Sequence, residues 1–312
     1  MENNKFKSGY IGLIGRTNVG KSTLINKIFD SNIVITSDKA QTTRNRINCI
    51  YNTDSAQAIF VDCPGFFKPR NLLGEKLNRI IFQVLDDVDI IVAMVDFHGG
   101  IGIGDYYVFE QIKKRNVPKM LILNKIDLLD TAGKYSLLET ITKIKSEMDF
   151  FEEVIPVSAS TGENLEKLLK ILMKKLPNGP KYYPGGMVTD MPVNKMIAEI
   201  IREKLSANLF DELPHSINVE VVKFQTKGDG SENDGAAGKG DSLVKIECNI
   251  YVEKKSHKAM IIGKSGTMLK KVGGLSRAEI EKLLQSKVFL QLWVKVEENW
   301  TRKEAYLDKF GY

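Results

Sequence analysis

The stretch GRTNVGKST (residues 15–23) matches the pattern GxxxxGK[ST] and lies between an apolar run and a predicted helix. The apolar run, YIGLIG, covers residues 10–15, and the helix is expected to open at Lys21. Glycines in such a loop let backbone N–H groups surround an anion, Lys21 would reach the terminal phosphates, and Ser22 would offer its hydroxyl to Mg²⁺. The stretch therefore predicts a nucleoside triphosphate site formed by nine consecutive residues: Gly15, Arg16, Thr17, Asn18, Val19, Gly20, Lys21, Ser22 and Thr23.

A second motif, Asn124-Lys125-Ile126-Asp127, predicts which base is bound. It follows the apolar run MLIL, at the end of a strand where open α/β sheets place their ligands. A carboxylate there accepts from both N–H groups on the edge of guanine, whereas adenine would leave that charge unpaired. Taken alone, the motif is an ordinary exposed turn, and its place behind the phosphate loop favours the base-reading role. Ser158-Ala159-Ser160 follows another apolar run and would brace the base from the other side.

A third segment, Asp62-Cys63-Pro64-Gly65-Phe66, ends a further apolar run and predicts contacts with the metal and the γ-phosphate. Asp62 would hold Mg²⁺ together with Ser22, and the Gly65 N–H would meet the γ-phosphate. Thr43, or alternatively Thr42, would complete the metal shell from a loop that orders with the triphosphate. The alternative for the threonine is plain loop polarity. The residues predicted to act in catalysis are Lys21, Thr43, Gly65 and Asn18.

The N-terminal half alternates short apolar runs with amphipathic stretches, which is typical of a mostly parallel α/β sheet with helices on both faces. The strands expected besides residues 10–15 cover 58–62, 89–96 and 119–124, and the helices cover 75–87, 104–116, 133–147 and 163–176. RINCIYN (46–52) would pair antiparallel with AIFVD (58–62) across a turn at residues 53–55. The segment PNGPKYYPGG breaks this pattern. We therefore predict one domain over residues 1–178, a linker over 179–190 and a second domain over 191–312.

The C-terminal half has strict alternation of apolar residues in three segments, which predicts strands with one buried face. These segments begin at Ile217, Val244 and Val288, and helices over 192–208 and 267–285 would cover the buried face. This half is therefore predicted to be a smaller α+β domain. The stretch over 226–242 is glycine-rich and polar, and we expect it to be a loop between two strands.

With these motifs in order at strand ends, residues 9–176 resemble a P-loop GTPase. Members that orient the attacking water with glutamine carry it directly after the glycine of the third segment, where this chain has Phe66 and Phe67. This resembles the branch with a hydrophobic replacement, which implies slow intrinsic hydrolysis. Asn18 resembles the asparagine through which some of that branch bind K⁺. As a hypothesis, K⁺ supplies the charge of an absent arginine finger, and equal hydrolysis rates in Na⁺ and K⁺ would contradict it.

A second glycine-lysine-serine loop, Gly263-Lys264-Ser265-Gly266, has a different spacing and cannot be another nucleotide loop. Residues 254–287 carry nine Lys or Arg against two Glu, although the whole chain has a net charge of only +6. Alone, this loop would be a turn joining two helices. Its basic surroundings and flanking apolar residues instead resemble the GXXG loop of a type II KH domain. This resemblance implies RNA binding through the loop residues: Gly263, Lys264, Ser265 and Gly266, with Lys270 and Lys271.

The whole chain, over residues 8–312, resembles the Era family of bacterial GTPases, through stretches such as GRTNVGKST, NKID and IIGKSGTMLKKVG. It departs from that family at Thr17, Cys63 and Phe67 and in the glycine-rich insertion, and the three substitutions bear on the hydrolysis rate. The resemblance implies GTP and GDP as ligands with Mg²⁺. It also implies binding of the 3′ end of 16S rRNA, assembly of the 30S ribosomal subunit, and peripheral contact with the cytoplasmic face of the cell membrane. No DNA partner is expected.

Composition sets the remaining limits. With 43% apolar and 27% charged residues, 312 residues are enough for two globular domains. Three widely spaced cysteines indicate neither a disulfide framework nor a zinc site, which favours the cytoplasm. No apolar run approaches the roughly 18 residues of a membrane span, and no long heptad argues for a dimer, so we expect a monomer. Two alternatives remain: an RNA-binding module gated by nucleotide without significant turnover, and a kinase or small-molecule transferase.

Overall fold

The structure is a computed structural model that describes residues 6–31, 33–34, 43–209, 216–226 and 243–312, without the side chains of residues 131–135. Two of the expectations above concern residues outside these ranges. They are the alternative metal ligand Thr42 and, apart from its first residue, the predicted glycine-rich loop over 226–242.

The chain divides into two compact units. The first contains the residues up to Arg70 and Gly74–Asp190, and the second contains Asn71–Leu73 and Met191–Tyr312. The mainly parallel α/β architecture of the first unit and the α+β architecture of the second confirm the predicted fold class.

The first unit is built on a six-stranded sheet with the strand order β2-β3-β1-β4-β5-β6. Five strands are parallel, and β2 is antiparallel to β3, which confirms the predicted pairing across residues 53–55. The strands are β1 (Lys7–Gly15), β2 (Ile47–Asn52), β3 (Ala56–Asp62), β4 (Ile90–Asp96), β5 (Lys119–Asn124) and β6 (Glu153–Val157). The helices are α1 (Lys21–Phe29), α2 (Leu72–Asp87), α3 (Ile103–Lys113), α4 (Thr131–Glu147) and α5 (Leu165–Lys175).

The parallel strands are mostly apolar because helices cover both faces of the sheet. Every residue of β5 is buried, and so are all but one of β4. The register places Asp96 beside Asn124 and Asn124 beside Val157. The loops that follow β1, β3, β4, β5 and β6 therefore meet at one edge of the sheet, where the predicted nucleotide residues lie.

The segment over 179–190, predicted to be a linker, packs against the sheet of the first unit. Ser8 Oγ donates to the carbonyl of Pro180 at 2.6 Å, and the backbone N–H of Ile50 donates to the carbonyl of Val188 at 2.9 Å. Gln57 Oε1 accepts from two further backbone N–H groups of the segment, at 2.8 and 2.9 Å. These bonds extend the ordered first unit to Asp190.

The second unit has a three-stranded sheet with the order β7-β8-β9, in which β7 and β8 are antiparallel and β8 and β9 are parallel. The strands are β7 (Asn218–Thr226), β8 (Leu243–Val252) and β9 (Lys287–Val296). The helices are α6 (Val193–Asn208), α7 (Lys255–Ile262), α8 (Thr267–Leu284) and α9 (Glu304–Phe310). The alternating apolar residues of the strands form one core with α6, α7 and α8.

Helix α9 is absent from the sequence-based expectations. It lies on the other face of the sheet, where the ring of Phe310 contacts Tyr251 with a centroid distance of 4.9 Å. Trp300, just before it, is fully buried and donates from Nε1 to the carbonyl of Ser216 at 2.9 Å. The end of the sheet near Tyr251 is therefore covered on both faces.

We expect Ile246→Ala to lower the free energy of unfolding of the second unit by about 2–5 kcal/mol, because Ile246 is completely buried in its core. Both tryptophans, Trp293 and Trp300, lie in this unit, so intrinsic fluorescence during urea denaturation reports its unfolding. Lys245→Ala, at the exposed neighbouring position of β8, is the control and should change stability by less than about 0.5 kcal/mol. Equal losses in the two variants would contradict the assigned faces of the strand.

Candidate nucleotide site and nucleic-acid interface

The loop between β1 and α1 has two positions that only glycine fits. A Cβ at Gly15 would lie 2.3 Å from the carbonyl oxygen of Met94. Gly20 has a φ of +102°, and a Cβ there would lie 2.4 Å from Nδ2 of Asn124. Asn18 also has a positive φ, 64°. The backbone thus follows a tight path against the neighbouring strands, as a loop that surrounds an anion with N–H groups requires.

Lys21 is nearly buried at the start of α1. Its Nζ donates to the carbonyl of Arg16 at 3.0 Å and lies 3.4 Å from that of Gly15. Burial lowers the pKa of Lys21, and the nearby Cys63 and Asp62 partly oppose that shift. The ammonium group therefore lies inside the loop, as predicted for a lysine that contacts phosphates, and gains from an anion placed there.

The three predicted metal ligands lie together. Asp62 Oδ2 accepts from Ser22 Oγ at 2.9 Å and from Thr43 Oγ1 at 3.1 Å, and the two hydroxyl oxygens are 3.1 Å apart. Asp62 is completely buried, and burial raises its pKa, although Lys21 and the two hydroxyls lower it. The other carboxylate oxygen, Oδ1, has no hydrogen-bond partner among the described residues. Three converging oxygens, one of them on an incompletely satisfied carboxylate, fit Mg²⁺.

The segment after Asp62 is tied to the phosphate loop. A Cβ at Gly65 would lie 2.5 Å from the backbone nitrogen of Thr17, so no other residue fits without moving the loop. The backbone N–H of Phe66 donates to the carbonyl of Gly15 at 2.9 Å. Cys63 and Pro64, which stand between, are buried, and burial raises the pKa of the Cys63 thiol to about 12. A shift of this segment must therefore shift the phosphate loop.

The ring of Phe66 is buried and packs edge-on against Phe82 and Tyr107, at centroid distances of 5.6 and 5.9 Å. Of the two phenylalanines considered in the sequence, Phe66 therefore belongs to the core of the first unit. Phe67 is only partly buried, and its carbonyl accepts from Nδ2 of Asn78 at 3.0 Å.

The residues of the motif that begins at Asn124 differ in their burial and in their contacts. Asn124 is buried, donates to the carbonyl of Val19 at 2.8 Å and accepts from the N–H of Ala159 at 2.9 Å. It thereby joins the phosphate loop to the segment Ser158-Ala159-Ser160. This bracing role is a contact that sequence reasoning missed, because nothing in the motif indicates which of its residues face inward.

Of the other residues of this motif, Ile126 is buried, whereas Lys125 is partly exposed and Asp127 is exposed. Asp127 is exposed and accepts from Ser160 Oγ at 3.1 Å. Hydrogen bonds from Ser158 and then Ser160 lower the pKa of Asp127, so it is a carboxylate at neutral pH. The ammonium of Lys125 pairs with the carboxylate of Asp96 at 2.6 Å. An ionised carboxylate in this place can accept from two N–H groups of a base.

A cavity of about 400 Å³ lies between α1 and the segment that contains Ser160, within the usual range for small-ligand sites. Its lining is mostly polar: Thr23, Asn26, Lys27, Asp30, Ser31, Ala159 and Ser160. Asn26 also accepts from the backbone N–H groups of Ile33 and Val34, at 2.9 and 3.0 Å. No sequence motif indicated a role for Asn26, because the residues that it contacts follow it without a recognisable pattern.

One further ion pair holds the phosphate loop. Arg16 Nη1 donates to Asp105 Oδ2 at 3.1 Å, and the same oxygen accepts from the backbone N–H of Gly102 at 2.9 Å. Asp105 is buried at the first turn of α3. Arg16 was predicted as a loop residue, but its partner lies 89 positions away in the sequence and could not be identified there.

In the second unit, the loop Gly263-Lys264-Ser265-Gly266 joins α7 and α8 in a strained backbone path. Its two glycines have φ values of +73° and +79°, and Ser265 between them has a φ of 52°. A Cβ at Gly263 would lie 2.8 Å from that of Met268, whereas one at Gly266 would meet open space. Gly266 therefore leaves room for another molecule to approach the backbone.

The surroundings of this loop are basic and partly apolar. The predicted RNA contacts Lys264, Ser265, Lys270 and Lys271 are all exposed. On the apolar side, Ile261 is fully buried, while Ile262, Met268 and Leu269 are partly exposed. Cations and partly exposed apolar side chains therefore surround a loop whose backbone another molecule can approach closely, which suits a sugar-phosphate chain with unstacked bases.

Sequence profiles of two known families match this chain. The profile described as a 50S ribosome-binding GTPase matches residues 10–125, and the profile of the KH domain matches residues 212–301.

Curated relatives match over nearly the whole chain. GTPase Era of Alkaliphilus metalliredigens is 43% identical over 307 residues, which cover 98% of this chain and 99% of that protein. GTPase Era of Clostridioides difficile is 42% identical with the same coverage.

Two solved structures share the fold over 98% of this chain and 99% of theirs, each with 36% identity. One is Era in complex with MgGDPNP and nucleotides 1506-1542 of 16S ribosomal RNA, with a TM-score of 0.91. The other is a single-site variant of Era from Aquifex aeolicus bound to GDP.AlF4-, with a TM-score of 0.89.

We expect Gly65→Ala to weaken GTP binding about 10- to 100-fold, because the added Cβ must push the phosphate loop away at a backbone cost of about 1–3 kcal/mol. Titration with a fluorescent GTP analogue measures the effect. Gly102→Ala is the control, since a Cβ there meets nothing closer than 3.8 Å, and it should change the affinity less than about twofold. A wild-type affinity in Gly65→Ala would show that the two loops are not coupled.

Proposed function

Because this chain belongs to the Era family of GTPases, we propose that it is a slow GTP-hydrolysing switch that binds the 3′ end of 16S rRNA and assists assembly of the 30S ribosomal subunit. The observation that carries this proposal is the match along the entire chain to an Era structure that contains both MgGDPNP and an rRNA fragment. The match covers the nucleotide unit and the KH unit together, so the proposal concerns their combination.

We infer that GTP and GDP bind at the edge of the first sheet. Residues 15–23 would surround the phosphates, the 62–66 segment would meet the γ-phosphate, and Asp127, backed by residues 158–160, would accept from guanine. Mg²⁺ would be held by Ser22, Thr43 and Asp62, whose oxygens converge within 3.1 Å of one another. When bound, this ion would neutralise charge on the phosphates. Lys21, already directed into the loop, would do the same from the protein side.

The slow rate rests on the position after Gly65. A glutamine there would hydrogen-bond the attacking water, whereas the ring of Phe66 is apolar and buried in the core. We also propose that Asn18 binds K⁺, which would supply positive charge to the same site. It predicts faster hydrolysis in K⁺ than in Na⁺ at equal ionic strength.

We place RNA on the second unit, at the loop 263–266 and the lysines at 270 and 271. The exposed lysines would meet phosphates, and the strained glycine backbone would let the strand approach closely. A cytoplasmic monomer in peripheral contact with the membrane, without a DNA partner, remains our expectation for the cellular setting. No described helix is long and apolar enough to span a membrane.

Single-turnover GTP hydrolysis by the full chain, with and without an RNA of 16S nucleotides 1506–1542, tests the proposed switch. The rate should be low without RNA and rise about tenfold or more with it, and Lys21→Ala should show no hydrolysis in either case. Tight RNA binding with an unchanged rate would instead support a module that nucleotide gates without RNA-coupled turnover.

We expect Asp127→Asn to lower the affinity for GTP at least about tenfold and to raise that for xanthosine triphosphate, because the amide can donate to the extra carbonyl of xanthine. Competition binding with the two nucleotides measures the preference. Asp130→Asn, a nearby exposed carboxylate, is the control and should keep the preference for GTP. An unchanged preference in Asp127→Asn would mean that another group reads the base.

We expect the double variant Lys264→Asp and Lys270→Asp to weaken RNA binding and to flatten its dependence on salt by about one to two units of slope, because two phosphate contacts are lost. Fluorescence anisotropy over a range of KCl concentrations measures the slope. Lys143→Asp with Lys145→Asp changes the charge equally on exposed positions of α4 and should leave the slope unchanged. Equal effects of the two double variants would indicate a nonspecific response to net charge.

A further inference from the structure

The open face of the second sheet carries two exposed aromatic side chains on its edge strand. In β9, Val288 and Val294 are buried toward the helices, whereas Phe289 and Trp293 are 49% and 55% exposed. Neither of these two rings makes a ring contact with another described aromatic residue. Two large apolar side chains are therefore about half exposed to solvent, on the face of the sheet opposite the core that the strands form with α6, α7 and α8.

Their neighbours do not bury them. The register places Lys245 opposite Phe289 and Asn249 opposite Trp293, so neither ring has an apolar partner across the strand pair. Exposed aromatic residues usually stabilise a sheet through apolar or aromatic cross-strand neighbours. A purely structural role for both rings on this face is therefore poorly supported by their surroundings.

The same face is positively charged. Lys287 precedes Phe289 by two residues, Lys295 follows Trp293 by two, and Lys245 lies opposite Phe289, so all three share the open face. All three are exposed, and none forms an ion pair within the part of the chain that the structure describes. These cations are available to an anionic partner.

The two acidic residues that the register places on this face are already paired. Glu247 lies 3.5 Å from the ammonium of Lys223, and Glu220 lies 3.1 Å from that of Lys309. Glu220 also accepts from the hydroxyl of Tyr251, at the end of the sheet that α9 covers. The uncovered part of the face thus keeps its positive charge around the two rings.

Aromatic rings set among lysines on an open sheet are suited to single-stranded nucleic acid, because bases stack on the rings while the cations meet phosphates. Phe289 and Trp293 are four residues apart in an extended strand, which separates them by about 13 Å. Gln291 lies between them on the same face and can both donate to and accept from a base edge. The spacing allows a strand to place separate bases on the two rings.

We propose that this open face, defined by Lys245, Lys287, Phe289, Gln291, Trp293 and Lys295, is a second RNA surface that stacks bases of a single strand. It is distinct from the loop 263–266, whose backbone grip covers only about four nucleotides in this kind of domain. The inference rests on the proposed function in that the ligand is RNA. It adds to that function a stacking surface on the opposite side of the sheet from the helical core.

Tryptophan fluorescence of the full chain tests the stacking directly. Trp293 is exposed and Trp300 is completely buried, and the chain has no other tryptophan. Titration with the RNA of 16S nucleotides 1506–1542 should quench the exposed tryptophan, and Trp293→Phe should abolish this quenching while RNA still binds. RNA binding without quenching in the wild-type chain would overturn the inference.

Affinity measurements by fluorescence anisotropy give the second test. The double variant Phe289→Thr with Trp293→Thr keeps strand-forming residues and should bind this RNA about tenfold or more weakly, with an unchanged salt slope. The variant Lys245→Gln, Lys287→Gln and Lys295→Gln should instead reduce the slope by about two units. The conservative pair Phe289→Tyr with Trp293→Phe should restore affinity to within about twofold of wild type.

The outcomes separate the inference from the proposed function. The second surface would be overturned if the double threonine variant and the triple glutamine variant both bound RNA with wild-type affinity while the Lys264 and Lys270 double variant lost binding. The loop 263–266 would then remain as the RNA site. No binding of RNA by the wild-type chain at low salt would overturn both. Quenching of Trp293 by vesicles of anionic phospholipid but not by RNA would identify the face as a membrane contact and also overturn the inference.

Discussion

The nucleotide site depends on a buried carboxylate whose charge is only partly balanced by the hydrogen bonds and cations of the described residues. Asp62 lies out of water with one oxygen shared by two hydroxyls and the other unpartnered among the described residues. Burial of an ionised carboxylate is costly unless cations and hydrogen bonds surround it. Lys21 supplies one charge nearby, and Mg²⁺ would supply the rest. Because Gly65 lies directly against Thr17, the carboxylate, the phosphate loop and the 62–66 segment must respond together to whatever occupies the site.

Each unit has a glycine-containing loop suited to an anion, but the two loops differ in shape. In the first, Gly15 and Gly20 let a closed loop form against strand β4 and Asn124, so its interior suits a compact anion. In the second, Gly266 leaves open space beside exposed lysines, so the backbone can lie along an extended anion. Similar short motifs would therefore serve different ligands because their surroundings differ. The open face of the second sheet would extend this surface to bases that the loop does not hold.

Much of the fold could be predicted from the sequence, because parallel strands and one-sided strands have different apolar patterns. Helix α8 begins at Thr267 as predicted, and the antiparallel pair β2-β3 has the predicted turn. Helix α2 begins at Leu72 rather than 75, and helix α9 was missed because it has only seven residues and depends on contacts with Tyr251. The segment 179–190 contains turn-forming residues but is ordered by distant partners, which local sequence cannot indicate. For the same reason the bracing role of Asn124 and the burial of Phe66 emerged only from the structure.

We propose that the nucleotide in the first unit controls RNA binding by the second. If RNA changes the affinity of the chain for GTP relative to GDP, linkage requires that the affinity for RNA change with the bound nucleotide by the same factor. The most direct measurement is the dissociation constant of the full chain for 16S nucleotides 1506–1542 with a non-hydrolysable GTP analogue, with GDP and with no nucleotide. We expect the dissociation constants of the GTP and GDP states to differ by about tenfold or more. Identical dissociation constants in all three conditions would contradict it.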